Sequence, residues 1–420
     1  MAACTAGAKW PQSRRRGGRV DTTRIGPGGP APKPTSGPAP KPGSGPAPKF
    51  AGGQPSRPGG GKPAQPPSRG GGDEGPRPPA YAALDLGTNN CRLLVARPSR
   101  RGFKVIDAFS RIIRLGEGVT ASGALSEVAI QRTIDALRIC AAKLARHRVD
   151  RARLVATEAC RIASNAPQFL ARVKAELGLD IEVLSREDEA RLAVAGSASL
   201  IDTGSDMAMV FDIGGGSSEL IWLDLSRLGA RGNRSLAGRA DIGHCIVAWT
   251  SLPVGVVTLA ERHGGRFVGP ELFEEMVGFV TGLVAPFEAE HQFNRRNVGR
   301  HVHLLGTSGT VTTIAGVHLG LPRYDRNRVD GCWLRTDEAR AVTSRLVGLD
   351  HAGRIAEPCI GRERADLVLA GCAIFEALLR MWPCEVLRVA DRGLREGILA
   401  TLIAEDQRAR GRPRVTETTP

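Results

Sequence analysis

Two stretches of this chain put a carboxylate where an apolar run breaks into a glycine turn. "VFDIGGGSSELIWL" carries Asp212 and Glu219 seven residues apart, with Gly214, Gly215, Gly216, Ser217 and Ser218 between them. "LDLGTNNCRLLVA" carries Asp85 ahead of Gly87, Thr88, Asn89 and Asn90. Without Cβ atoms, glycine amides can approach an anion closely, and successive amides in such a turn form an anion-binding nest. Ser217 and Ser218 add hydroxyl donors. Asp85, Asp212 and Glu219 cannot attract phosphate themselves. They make sense beside it through a hard cation such as Mg²⁺, which takes carboxylate, water and phosphate oxygens together. One such turn is also what an ordinary hairpin would use. Two equivalent turns, with their aspartates 127 residues apart, are far more specific and read as a duplicated unit. Two similar lobes facing each other would bring both turns to one cleft.

A third loop, "GTSGT", places Gly306, Ser308, Gly309 and Thr310 between an expected strand and an expected helix, where helix amides could meet an anion. An ordinary capped connection would look the same, and the other two loops favour a multi-phosphate site. Arg161, in "ATEACRIASNAPQF", follows a strand and could clamp a phosphate with its forked guanidinium or simply sit on a helix surface. Glu187, Asp188 and Glu189 cluster in "SREDEARLAVAG"; the helix dipole alone favours acids in a first turn, and spacing selects none of the three. The chain has no G-x-S-x-G, Walker-type or H-E-x-x-H motif. His301 and His303 lack companions for a metal site and read as structural.

The elements around these loops follow an α/β pattern. Residues 81–200 read as β-β-β-α-β-α-β-α, with Ser126 an N-cap for a helix over Ser126–His147. From Met207 the strand–glycine–strand pattern restarts, with helices expected over Pro270–Phe287, Asp337–Leu346 and Leu367–Met381. Residues 1–80 differ sharply. They hold 18 of the 28 prolines, 18 of the 52 glycines and an imperfect "GPAPKP" repeat, so they are expected to be disordered. They also hold 13 Lys/Arg against 3 Asp/Glu, a charge that could attract a polyanion or merely keep the tail soluble. Nine scattered cysteines without a C-x-x-C pair suit reduced thiols rather than a disulfide scaffold. No apolar run is long enough to span a bilayer. The expectation is a soluble, cytoplasmic protein.

Seven ordered blocks, "LDLGTNNCRLLVA", "VATEACRIASNAPQF", "EVLSREDEARLAVAG", "VFDIGGGSSEL", "SLPVGVVTLAE", "LLGTSGTVTTIAG" and "VADRGLREGIL", resemble the exopolyphosphatase/guanosine pentaphosphate phosphohydrolase (Ppx/GppA phosphatase) family over about residues 81–405. The resemblance implies an α/β fold of the actin, hexokinase and Hsp70 (ASKHA) type, with two ribonuclease-H-like lobes and a cleft between them. The expected divisions are a tail at 1–80, lobes at 81–204 and 205–384, a closing strand and helix at 385–405 returning to the first lobe, and a polar tail at 406–420. The family pattern matches Glu189 to the catalytic carboxylate that orients or deprotonates water, and Arg161 to a phosphoryl-binding arginine. It matches Asp85, Asp212 and Glu219 to the Mg²⁺ site, and the two glycine turns to phosphate loops. Hydrolysis of a terminal phosphoanhydride of polyphosphate or guanosine pentaphosphate is the implied reaction, and a homodimer is expected by analogy. The loop "GTNNC" departs from the Ser and Phe common near Asn90 and Cys91, which bears on substrate preference. A small-molecule kinase of the same superfold, a non-catalytic polyphosphate or alarmone sensor, and an actin-like or chaperone-like ATP-binding protein are the alternatives.

Overall fold

A computed structural model describes residues 77–100, 102–231 and 242–411. Eleven strands among them form two sheets. The first contains β1 (Tyr81–Leu86), β2 (Asn90–Ser99), β3 (Gly102–Ile112), β4 (Arg151–Ala156) and β5 (Glu182–Val183), in the order β3-β2-β1-β4-β5. The second contains β6 (Met207–Ile213), β7 (Ser218–Asp224), β8 (Ile246–Leu252), β9 (Val302–Thr307), β10 (Trp333–Arg335) and β11 (Val386–Ala390), in the order β10-β11-β9-β6-β7-β8. Read from the third strand of each unit, β8-β7-β6-β9-β11 repeats β3-β2-β1-β4-β5. Both begin with an antiparallel meander and continue with parallel strands. The duplicated hairpins are therefore the central corner of two ribonuclease-H-like lobes, and β10 is an added edge strand on the second.

Helices cover both faces of each sheet, so the central strands are buried on both sides. In β1 and β6 every residue is buried except Asp85 and Asp212, each one position before the strand's end. A carboxylate is tolerated there because the strand is leaving the core for the glycine turn. The expected helix after Ser126 spans Glu127–His147, with the Ser126 hydroxyl accepting from the Ala129 amide at 3.2 Å. The helix from Pro270 runs on to His291, and that from Asp337 widens to Thr336–Gly348.

Two crossing helices join the lobes. The helix Arg186–Ser197 lays Ala190 and Val194 on the second sheet, beside Val210 and Ile221. The final helix, Leu394–Gly411, lays Ile398, Leu399 and Leu402 on the first sheet, beside Ala83 and Leu94. Each helix thus packs on the lobe that its preceding strand does not belong to. The crossing is close enough to require glycine. A Cβ on Gly397 would stand 2.0 Å from the Leu192 carbonyl oxygen, and one on Gly196 would stand 1.9 Å from that of Gly393.

Some expected divisions shift. The strand β11 belongs to the second sheet, so the chain returns to the first lobe only with the helix after it. That helix reaches Gly411, into the stretch read as a polar tail. The basic tail lies outside the described residues except for Arg77–Ala80. There Arg77 donates to the His147 and Arg148 carbonyls at 2.9 and 2.8 Å, which anchors the chain as it enters β1. Among the described residues no helix is long and apolar enough to cross a membrane.

Candidate active site between the lobes

The two glycine turns close in the same way. The Gly87 amide donates to the Asn90 carbonyl at 2.9 Å, and the Gly214 amide donates to the Ser217 carbonyl at 2.9 Å. The turns also meet. A Cβ on Gly215 would stand 2.9 Å from Thr88 Cβ and 3.1 Å from the Asn89 amide nitrogen, and one on Gly216 would stand 2.8 Å from Thr88 Oγ1. Side chains at either position would hold the lobes apart. On the far side, Gly255 allows its backbone to abut Gly215, where a Cβ would lie 2.4 Å from the Gly215 carbonyl carbon.

Across the second hairpin Asp212 pairs directly with Glu219, so both project from one face of the sheet. The matching partner of Asp85 in the first hairpin is Arg92. The duplication thus preserved the aspartate and exchanged an acid for a base opposite it. Burial is the largest influence on each carboxyl. It raises Asp85 and Asp212 above the ordinary carboxylate range, with the Arg92 and Arg395 guanidiniums pulling them back down. Burial and the Asp212 charge push Glu219 up to about 7, although the Ser217 and Ser251 hydroxyls donate to it at 2.7 and 2.9 Å. Glu189 is raised well above its usual value by burial and by Glu219.

Glu189 reaches the cleft from the first turn of the crossing helix, whose N-cap Ser185 accepts from the Asp188 amide. Arg161 holds it there. The guanidinium donates to Glu189 Oε2 at 2.7 Å, to Glu158 Oε2 at 2.8 Å and to the Leu184 carbonyl at 2.7 Å. Arg186 binds the other Glu158 oxygen at 2.7 Å. Arg161, expected as a phosphate clamp, is here occupied with carboxylates and the Leu184 carbonyl.

The cleft is lined by Asp85, Gly87, Thr88, Asn89, Asn90, Glu189, Asp212, Gly214, Gly215, Gly216, Ser217, Glu219, Ser308, Gly309 and Thr310. Two expected residues stand off it. Ser218 donates its hydroxyl to the Val254 carbonyl at 2.7 Å. Gly306 makes room for Phe211, whose ring would meet a Cβ at 2.7 Å. In the third loop Ser308 caps the helix Gly309–His318 and takes up the Thr310 and Val311 amides, with its own backbone at φ 123°. Sequence reasoning passed over Arg92, Thr157, Glu158, Thr313 and Arg364, which also line the cleft. The equal seven-residue spacing of Asp85–Arg92 and Asp212–Glu219 was a signal for Arg92. Arg364 had none, because it joins the cleft only through folding.

Among the described residues no three His, Cys, Asp or Glu side chains stand close enough to cage an ion by themselves. The donor set still fits Mg²⁺. Its oxygens are hard, several carboxylates are buried, Asn89 Oδ1 is buried without a partner, and Mg²⁺ typically takes one or two carboxylates with waters and phosphate oxygens.

A model of the Ppx/GppA phosphatase family matches residues 94–405. The Aquifex aeolicus member of that family, in its crystal structure, is 29% identical, with 78% of this chain and 98% of that chain covered at a TM-score of 0.62. An exopolyphosphatase-like protein is 28% identical over 77% of this chain and 97% of its own, at a TM-score of 0.65. An exopolyphosphatase from Cytophaga hutchinsonii shares the fold at a TM-score of 0.66 and 23% identity, over 78% and 98% of the two chains. With two matched lobes, a carboxylate-rich cleft and a family match over most of its length, this chain belongs to the Ppx/GppA phosphatase family.

Proposed function

We propose that the protein hydrolyses the terminal phosphoanhydride of inorganic polyphosphate or guanosine pentaphosphate, releasing orthophosphate. Family membership supports phosphatase activity in general. The observation that carries the finer reading is Glu189, a buried carboxylate whose basicity is raised and whose position is locked by Arg161, facing the two glycine turns.

In this reading the amides of residues 88–90 and 215–217 hold the terminal phosphate. Asp85, Asp212 and Glu219 hold a divalent cation, which when bound supplies positive charge for the phosphate oxygens and offsets the burial of the carboxylates. Glu189 orients a water and accepts its proton. The water oxygen bonds to the terminal phosphorus, the bridging P–O bond breaks, and its electron pair leaves on the shortened chain. A raised carboxyl suits this work, since a base is most effective when its pKa lies near the operating pH. Positioning and charge stabilisation supply most of the acceleration in such transfers. Arg161 acts through Glu189 rather than on the phosphate.

The test is Glu189→Gln in purified protein, with phosphate release measured from long-chain polyphosphate and guanosine pentaphosphate side by side. A loss of at least about a hundredfold is expected, the lower range for removing a positioned base. Undiminished release from a folded variant refutes the assignment.

A further inference from the structure

The segment Ile113–Gly118 touches both lobes and neither lines the cleft nor belongs to a long element. On the first lobe it grips the glycine turn by its backbone. The Ile113 and Arg114 amides donate to the Asn89 carbonyl at 2.8 and 3.1 Å, and the Gly116 amide donates to the Thr88 carbonyl at 2.9 Å. Gly116 is obligatory at that contact, since a Cβ would stand 2.3 Å from the Thr88 methyl group. Arg132 fixes the segment from below through the Ile113 and Arg114 carbonyls and Glu117. On the second lobe, Arg114 reaches Asp366 at 3.0 Å, and the Gly118 amide donates to Glu261 at 2.8 Å. Arg114 holds a left-handed backbone, φ 47°, which an arginine rarely adopts. Such conformations persist where surrounding bonds over-determine them.

We propose that Arg114 is a positioning residue: its ion pair with Asp366 latches the lobes together while its backbone holds Asn89, and that of Gly116 beside it holds Thr88, in the geometry that receives phosphate. Asp366 sits two residues after the cleft-lining Arg364 and just before Leu367, so the latch ties both walls of the cleft to one strap. The latch is a contact of the closed form. Breaking it shifts the population toward an open form that binds substrate less well, and bound substrate restores closure. The loss therefore falls on KM and spares kcat. This inference rests on the hydrolase reading for its kinetic readout only.

The experiment compares the full-length wild type with Arg114→Gln, Asp366→Asn and the double variant. Initial rates on polyphosphate are measured alongside hydrogen exchange, in the substrate-free protein, at the Ile113, Arg114 and Gly116 amides that donate to the turn. Each single variant is expected to raise KM about fivefold with kcat within about twofold, the scale of a half-exposed pair. The double variant is expected to be no worse than either single, and all three to exchange faster at Ile113, Arg114 and Gly116. Independent, multiplying losses of about 25-fold in the double variant overturn the latch. So does a fall in kcat at unchanged KM, the mark of a merely smaller folded fraction, or unchanged exchange at those three amides. If the wild type releases no phosphate, the hydrolase reading fails and the exchange data alone decide the latch.

Discussion

Replacing Arg161 with Met tests whether this arginine exists for the carboxylates rather than for phosphate. The substitution keeps most of the aliphatic stem and removes donors to Glu189, Glu158 and the Leu184 carbonyl. The Glu158 and Glu189 side chains are only 6% and 14% exposed, so water replaces only part of what they lose. Breaking a buried pair by removing one partner typically costs about 3–5 kcal/mol. The pH dependence separates this from ordinary packing loss. Burial already raises the Glu189 carboxyl, and Arg161 is what pulls it back. Without the guanidinium the folded carboxyl rises further above its unfolded value of about 4.3. A raised folded pKa leaves stability intact below the unfolded value and erodes it as pH climbs toward the folded one. The gap between variant and wild type therefore opens only above the wild-type carboxyl's own raised pKa, so it should be at least as large at pH 8 as at pH 5. Urea unfolding followed by far-UV circular dichroism at pH 5, 6.5 and 8 measures this. A loss under about 1 kcal/mol at pH 8, or a gap that widens on acidification, refutes the reasoning.

Gly215→Ala should separate the two turns, since its methyl would stand 2.9 Å from Thr88 Cβ and 3.1 Å from the Asn89 amide. Overpacking of about 1–3 kcal/mol is expected, read as a lower melting temperature and a matching fall in kcat/KM. Gly278→Ala, which meets nothing within 4 Å, should lower neither. Glu219, pushed up to about 7 by burial and Asp212, should erode the stability of the ion-free protein as pH rises from about 4.5 to 8, by about 3 kcal/mol. Glu219→Gln should flatten that slope. Added Mg²⁺ should raise the melting temperature of wild type more at pH 8 than at pH 6, because the ion needs the deprotonated carboxylates.

The paired hairpins were legible because their information is local. An apolar run, a single aspartate near its end and a glycine turn state a strand that stays buried until it reaches a ligand, and two copies one lobe apart state the duplication. The glycine at 306 was misread for the same reason. Read as part of a strand-to-helix loop, it lies inside β9, where the missing Cβ makes room for the ring of Phe211.

By itself, then, the sequence determined which segments fold alike and which residues could carry charge to their ends, since strand periodicity and turn chemistry act over a few residues. Tertiary structure alone decided who meets whom. Arg161 and Glu189 stand 28 positions apart, Arg114 and Asp366 stand 252 apart, and Gly196 and Gly397 meet where two helices change lobes. Those meetings follow from the whole core closing around two sheets. Only then does burial raise the carboxyls, and only then does an arginine acquire the partners that determine its role.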